Sequence, residues 1–194
     1  PLPDGMTSVF VLPLCHSYGI ASMNQGLFRQ GGKAVLLGSF NVEAILAAIQ
    51  KYRANILAGV PTMYVFMVLF PEPKKYDLSS MKYWFSGSAP LSLETFRRFK
   101  EAFGFEIIEG WGLTEAGANN SVNPLEGTKK VGSIGLPMKG TEMRVVDNEG
   151  NPLPTRKEGE IVIRGPMLMK GYWNQPQETA EILRNGWLHT GDVG

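Results

Sequence analysis

Residues 82–109 read KYWFSGSAPLSLETFRRFKEAFGFEIIE, and three physical signals in this stretch set the fold class. Lys82 to Ser86 is a short run rich in aromatic residues, which suits a strand. Ser92 can cap a helix that carries Phe96, Phe99 and Phe103 on one face, and Gly104 supplies its stop. Phe105 to Glu109 then reads as the next strand. Strand, helix and strand at this spacing form a crossover unit and predict parallel pairing.

The preceding residues repeat the alternation. Ser8 to Leu12 and Lys33 to Leu37 are short strand-like runs, and Asn41 can cap a helix whose Ile45, Ile49 and Tyr52 fall at helical spacing. Asn55 to Val60 reads as a strand, and Pro61 suits the first turn of a helix over residues 62–70. After about residue 128 the pattern changes. Glu142 to Val146 and Glu160 to Arg164 are β-rich, separated by the turn-rich Asp147-Asn148-Glu149-Gly150-Asn151-Pro152, and a short helix is expected from Pro176 to Arg184, just before Asn185-Gly186. The expected fold is therefore α/β. A parallel sheet flanked by helices spans residues 1–127, and a smaller β-rich segment of distorted-barrel type, incomplete at its C-terminal end, spans 128–194. Ligands should bind at the carboxyl ends of the parallel strands. The first and last residues read as loops, with no closing helix or strand after Asp192, so an internal piece of a longer protein is expected.

Composition narrows the function. Lys and Arg total 19 against 18 Asp and Glu, for a net charge of +1, which argues against a nucleic-acid partner or electrostatic membrane binding. Hydrophobic residues make up 43%, enough to bury a sizeable core. Twenty-three glycines, roughly 12% against a typical 7%, imply tight turns and close backbone approaches. The single cysteine, Cys15, excludes an internal disulfide framework and a multi-cysteine zinc site, and fits a reducing compartment. The longest apolar stretch, Asn55 to Phe70, is broken by Gly59, Pro61 and Thr62 and is too short to span a membrane.

Standard nucleotide signatures are missing. Gly26 to Lys33 has the glycines of a phosphate loop but not its Lys-Ser/Thr ending, and no GxGxxG occurs. With only His16 and His189, a histidine metal cluster is improbable. Four polar, glycine-punctuated segments remain at expected strand ends. Glu109-Gly110-Trp111-Gly112-Leu113-Thr114-Glu115 offers an aromatic face for a base, close backbone approach at its glycines, and a hydroxyl and carboxylate for phosphate and Mg²⁺. Ser86-Gly87-Ser88-Ala89-Pro90-Leu91 places small residues between a strand and a helix N-terminus. In His189-Thr190-Gly191-Asp192 the carboxylate can accept two hydrogen bonds from a ribose diol. Pro13 to Gly19 sets His16 after a buried strand. Taken singly, each has an ordinary reading as a turn or a core residue.

Together and in this order, the segments resemble the adenylate-forming superfamily of acyl-CoA synthetases, luciferases and related carboxylate-activating enzymes. Glu109–Glu115 looks like its Tyr/Trp-Gly-x-Thr-Glu motif and His189–Asp192 like its Thr-Gly-Asp motif. Gly159-Glu160-Ile161 through Gly171-Tyr172-Trp173 resembles the segment between them. The likeness is strongest to the fatty-acyl-CoA synthetase branch. It implies that ATP activates a carboxylate, expected to be a fatty acid, as acyl-AMP, and that coenzyme A then displaces AMP. It further implies that Trp111 and Gly112 lie against adenine, that Gly87, Ser88 and Ala89 edge it, and that Thr114 meets the phosphate. Glu115 would hold Mg²⁺, Asp192 would bind the ribose, and His16 would border the acyl carboxylate. Thr114, Glu115 and His16 are the catalytic candidates. A cytoplasmic location, with peripheral membrane attachment left open, and a homodimer are compatible with this reading. The family's lysine-bearing phosphate loop and its C-terminal domain do not occur in these 194 residues, so the isolated chain is expected to be inactive. An aryl-acid (coumarate-type) ligase shares these motifs, and a non-catalytic nucleotide-binding module is the alternative from another class. The acyl pocket, expected near Val60 to Met67, is what would separate the two ligases.

Overall fold

The computed structural model describes residues 2–194, with residues 24–26 described by backbone alone; Pro1, where the first expected segment begins, lies outside the described residues. The parallel core consists of β1 (Thr7–Phe10), β2 (Lys33–Leu36), β3 (Ile56–Gly59), β4 (Tyr83–Ser86) and β5 (Ile107–Trp111), in the order β2-β1-β3-β4-β5. All of their pairings are parallel. The helices between them are α1 (Ser17–Gly26), α2 (Val42–Tyr52), α3 (Pro61–Val68) and α4 (Leu93–Phe103).

The caps foreseen in the sequence are in place. The Asn41 side chain accepts from the Ala44 N–H at 2.8 Å, and Ser92 Oγ accepts from Thr95 N–H at 3.1 Å. Helix α4 stops where Gly104 takes φ 78°. Helices α2, α3 and α4 bury Ile45, Ile49, Met63, Tyr64, Met67 and Phe99 against Val9, Leu57 and Trp84 on one face of the sheet. The opposite face carries Phe10 and Ile56, packed with Leu27 and Phe85. Parallel strands buried on both sides read as nearly continuous apolar runs, which is why they were visible in the sequence.

The sheet continues antiparallel through two short strands, β6 (Ser121–Val122) and β7 (Leu136–Pro137). A second, antiparallel sheet has the order β10-β11-β9-β8, with β8 (Glu142–Val146), β9 (Glu160–Arg164), β10 (Leu183–Arg184) and β11 (Trp187–Val193). Among the described residues no helix is long and apolar enough to cross a membrane.

Three expectations need correction. The last helix, α5 (Pro176–Ile182), ends before Arg184, because Leu183 and Arg184 pair with Leu188 and Trp187 in a hairpin. Asn185 and Gly186, at φ 52° and 78°, supply the two left-handed residues such a two-residue turn requires. Residues expected to form a loose end instead form β11, and Gly194 exchanges backbone hydrogen bonds with Gly159 at 2.9 and 3.2 Å. Helix α1 fills a stretch read only as a polar segment after a strand.

Candidate active site

The carboxyl ends of β1, β4 and β5 open onto one cavity of about 530 Å³. Its rim holds His16 and Ser17 at the start of α1, Gly87 and Ser88 after β4, and Trp111, Gly112, Thr114 and Glu115 at the end of β5. Rim residues up to 99 positions apart in sequence (16 to 115) thus face the same space. His16 caps α1, its Nδ1 accepting from Tyr18 N–H at 3.1 Å. Ser17 and Thr114 hydroxyls lie 2.8 Å apart, tying that helix to the β5 loop. Of the expected residues, Ala89 and Asp192 do not line the cavity. Ala89 is exposed. Asp192 reaches the site through Trp111, whose indole Nε1–H donates to its Oδ2 at 2.8 Å.

Trp111 therefore supplies a donor as well as an aromatic face, and the bond spans the two sheets. Glu115 is also held from the second half of the chain. Its Oε1 accepts from the Tyr172 phenol at 2.8 Å, and its backbone carbonyl accepts from Met169 N–H at 2.7 Å. The Glu115 hydrogen bond, aided by burial, pushes the Tyr172 phenol above its ordinary value. Beneath these contacts Ala116, Ile161, Ile163 and Leu188 pack with Trp111 and Leu113.

The loop after β5 depends on buried polar groups that the sequence reading did not single out. Asn120 is fully buried; its Oδ1 accepts from Leu113 N–H at 3.1 Å and its Nδ2 donates to Ala116 O at 2.7 Å. Asn123 donates to Glu109 O and Ser133 O and accepts from Lys130 N–H. Their neighbourhood, Asn119-Asn120-Ser121-Val122-Asn123, has the composition of an exposed turn, so nothing local marked them. Gly112 is enforced sterically: a Cβ there would lie 1.7 Å from Ala118 O.

The cavity's apolar wall is Phe10, Leu27, Ile56, Ala58 and Phe85, on the sheet face opposite α3. Residues 60–67, expected to contribute to the acyl pocket, do not line this cavity. Met63, Tyr64 and Met67 point into the core on the other face, and Tyr64 donates its hydroxyl to Phe85 O at 2.6 Å. Burial pushes the Tyr18 phenol, which lines the cavity, well above its ordinary value. Burial also raises the Glu109 carboxyl, against the lowering effect of the Gly132 N–H that bonds it.

The sequence matches the family described as AMP-binding enzyme over residues 2–173. It is 40% identical over 185 residues to a long-chain-fatty-acid–CoA ligase of Bacillus subtilis, covering 95% of this chain and 33% of that protein. It is 36% identical over 182 residues to a feruloyl-CoA synthase of an Amycolatopsis species, covering 93% and 37%. The fold superposes on the crystal structure of ATP-bound MatB from Rhodopseudomonas palustris with a TM-score of 0.91 at 31% identity, covering 99% of this chain and 38% of that one. The chain thus spans about a third of the length of the curated relatives it matches.

Proposed function

The chain belongs to the family of AMP-binding enzymes, and from that premise we propose that the protein carrying it is an ATP-dependent acyl-CoA synthetase. The observation that carries the reading is the gathering of Trp111, Thr114, Glu115, Gly87, Ser88 and His16 around one cavity, with Asp192 bonded to Trp111 beside it. In this reading the Trp111 ring and Gly112 pack against adenine, whose edge meets Gly87, Ser88 and Ala89. The free lone pairs of Asp192 accept from the ribose hydroxyls, and Thr114 donates to a phosphate oxygen. Residues to about 127 act as one subdomain and residues from 128 as a second.

The reaction needs no covalent nucleophile from the chain. A carboxylate oxygen of the acid attacks the α-phosphorus, the bond to the β-phosphate oxygen breaks, and pyrophosphate leaves. The thiol of coenzyme A then attacks the acyl carbon, AMP departs, and the thiol proton passes to solvent. Charge builds on phosphate oxygens, so positioned donors supply most of the stabilisation. His16 borders the incoming carboxylate. Glu115 is the one acidic side chain lining the cavity among the described residues, and a single carboxylate suits Mg²⁺, which takes its other ligands from water and phosphate. When bound there, the ion would neutralise charge on the phosphates. A cytoplasmic setting, where ATP and coenzyme A are both supplied, goes with this chemistry.

A fatty acid is the first choice of substrate. An aryl acid is the second reading, favoured by Phe10, Tyr18 and Phe85 among the lining residues. ATP–pyrophosphate exchange by the full-length protein, run over fatty and aromatic acids, tests both. Exchange dependent on fatty acids is the expected result, and exchange with aromatic acids alone selects the second reading. No exchange with any carboxylate would leave a nucleotide-binding module.

A further inference from the structure

The His-Thr-Gly-Asp turn interrupts the ladder between β9 and β11. His189 pairs with Val162 and Val193 with Glu160, so residues 190–192 stand opposite Ile161 alone. That is two residues more than the partner strand, and such a bulge must be braced to hold one shape. Thr190 Oγ1 donates to Ile161 O at 2.6 Å and accepts from Asp192 N–H at 3.1 Å. Gly191 takes φ 73°, a conformation that needs no Cβ. From the start of β9, Glu160 spans the bulge with both carboxylate oxygens. Its Oε2 lies 2.7 Å from His189 Nδ1, and its Oε1 accepts from Gly191 N–H at 3.0 Å.

The ladder partner of Glu160 is Val193. Glu160 instead grips the two residues that flank Thr190: His189, just before the bulge, and Gly191, inside it. The bulge in turn delivers the Asp192 carboxylate to the Trp111 indole.

We propose that Glu160 is a positioning residue: by clamping His189 and Gly191 it sets the bulge that presents Asp192 to the ribose. The inference rests on the reading of Asp192 as the ribose acceptor. Glu160 touches no substrate itself, so its effect passes wholly through Asp192. Geometry of this kind matters because a bond to a charged acceptor weakens steeply when the acceptor is misaimed.

The test uses the full-length protein with Glu160→Ala, Glu160→Gln, Asp192→Ala and the Glu160→Ala/Asp192→Ala double variant. AMP and 2′-deoxy-AMP binding are measured by calorimetry, and thermal melts without nucleotide report the fold. Glu160→Ala should weaken AMP binding about tenfold and shrink the preference for AMP over the deoxy form. The KM for the carboxylate should stay unchanged. The double variant should bind no more weakly than Asp192→Ala, because the two losses are one. Should Glu160→Ala melt before assay, Glu160→Gln, which keeps an acceptor for Gly191, should show the same loss of preference in smaller degree. Full preference for AMP in both Glu160 variants, or additive losses in the double variant, would overturn the proposal while leaving the ribose role of Asp192 intact. Full preference in Asp192→Ala would overturn the ribose reading and this proposal with it.

Discussion

Glu115 and Gly112 are neighbours in sequence but answer to different physics. Glu115 shares its carboxylate between Tyr172 and the cavity, and a neutral amide there would keep the Tyr172 bond while becoming a poor partner for a hard cation. Glu115→Gln in the full-length protein should therefore cut pyrophosphate exchange strongly while shifting the melting temperature little. Stopped exchange assays alongside thermal melts check both halves. Gly112→Ala should fail differently. Its Cβ would overlap the Ala118 carbonyl and the Asn119 amide, which are backbone and cannot swing away. A loss of about 3 kcal/mol or more is expected in denaturant unfolding, at or above the upper end for overpacked positions.

At the level of elements, the stability of the parallel sheet rests on how α4 seats its aromatic stripe. Phe99 is fully buried and meets Trp84 edge-on at 5.1 Å and Tyr64 at 5.2 Å, with Phe103 stacked at 4.6 Å. Phe99→Ala should cost about 3–5 kcal/mol by removing the centre of that cluster. Trp84→Phe should cost clearly less than this. Its indole Nε1 is buried without a hydrogen-bond partner, so the smaller ring relieves a desolvated donor while opening only part of the space. Chemical denaturation of both variants gives the comparison, and equal losses would mean that the lone N–H carries no penalty. The same stripe was readable in advance, because three phenylalanines at helical spacing can face only one direction. Helix α3 was not, since it is apolar on every side: Met63, Tyr64 and Met67 went inward, while Val65 and Phe66 remain exposed.

For the molecule as a whole, acid should loosen the fold. The carboxyls of Asp77, Glu106, Glu142 and Asp147 are held below their ordinary values by hydrogen bonds from Ser79, Lys100, Arg164 and Asn151 respectively. Glu160 follows them, burial being outweighed by its bonds to His189 and Gly191. Groups whose folded values are lowered contribute stability above the ordinary carboxylate value of about 4, and that contribution is lost as the pH falls through the lowered values. Glu109, raised by burial, runs the other way. Melting temperature followed from pH 7 to pH 3 should stay level and then drop below about pH 5. A second expectation belongs to this scale. The 194-residue chain alone should form no acyl-CoA from acid, ATP and coenzyme A, because it spans about a third of the synthetases it resembles. Turnover near that of the full-length protein would sink that view.

What the sequence determined by itself was whatever is encoded locally. The alternation of strands and helices, the caps at Asn41 and Ser92, the stop at Gly104 and the bounds of β8 and β9 all follow from spacing and turn chemistry within a dozen residues. The motif segments could be placed at strand ends for the same reason. Tertiary structure alone decided the rest. Helix α1 has a weak apolar pattern and forms where the sheet gives it a face to cover, with His16 as its cap. Strands β6 and β7 are two residues each and exist only through their ladders. The cavity lies on the sheet face opposite the one covered by α2, α3 and α4, so its apolar wall is Phe10, Ile56 and Phe85 rather than α3. The bond from Trp111 to Asp192 joins residues 81 apart, and only the docking of one sheet on the other brings an indole N–H within 2.8 Å of a carboxylate.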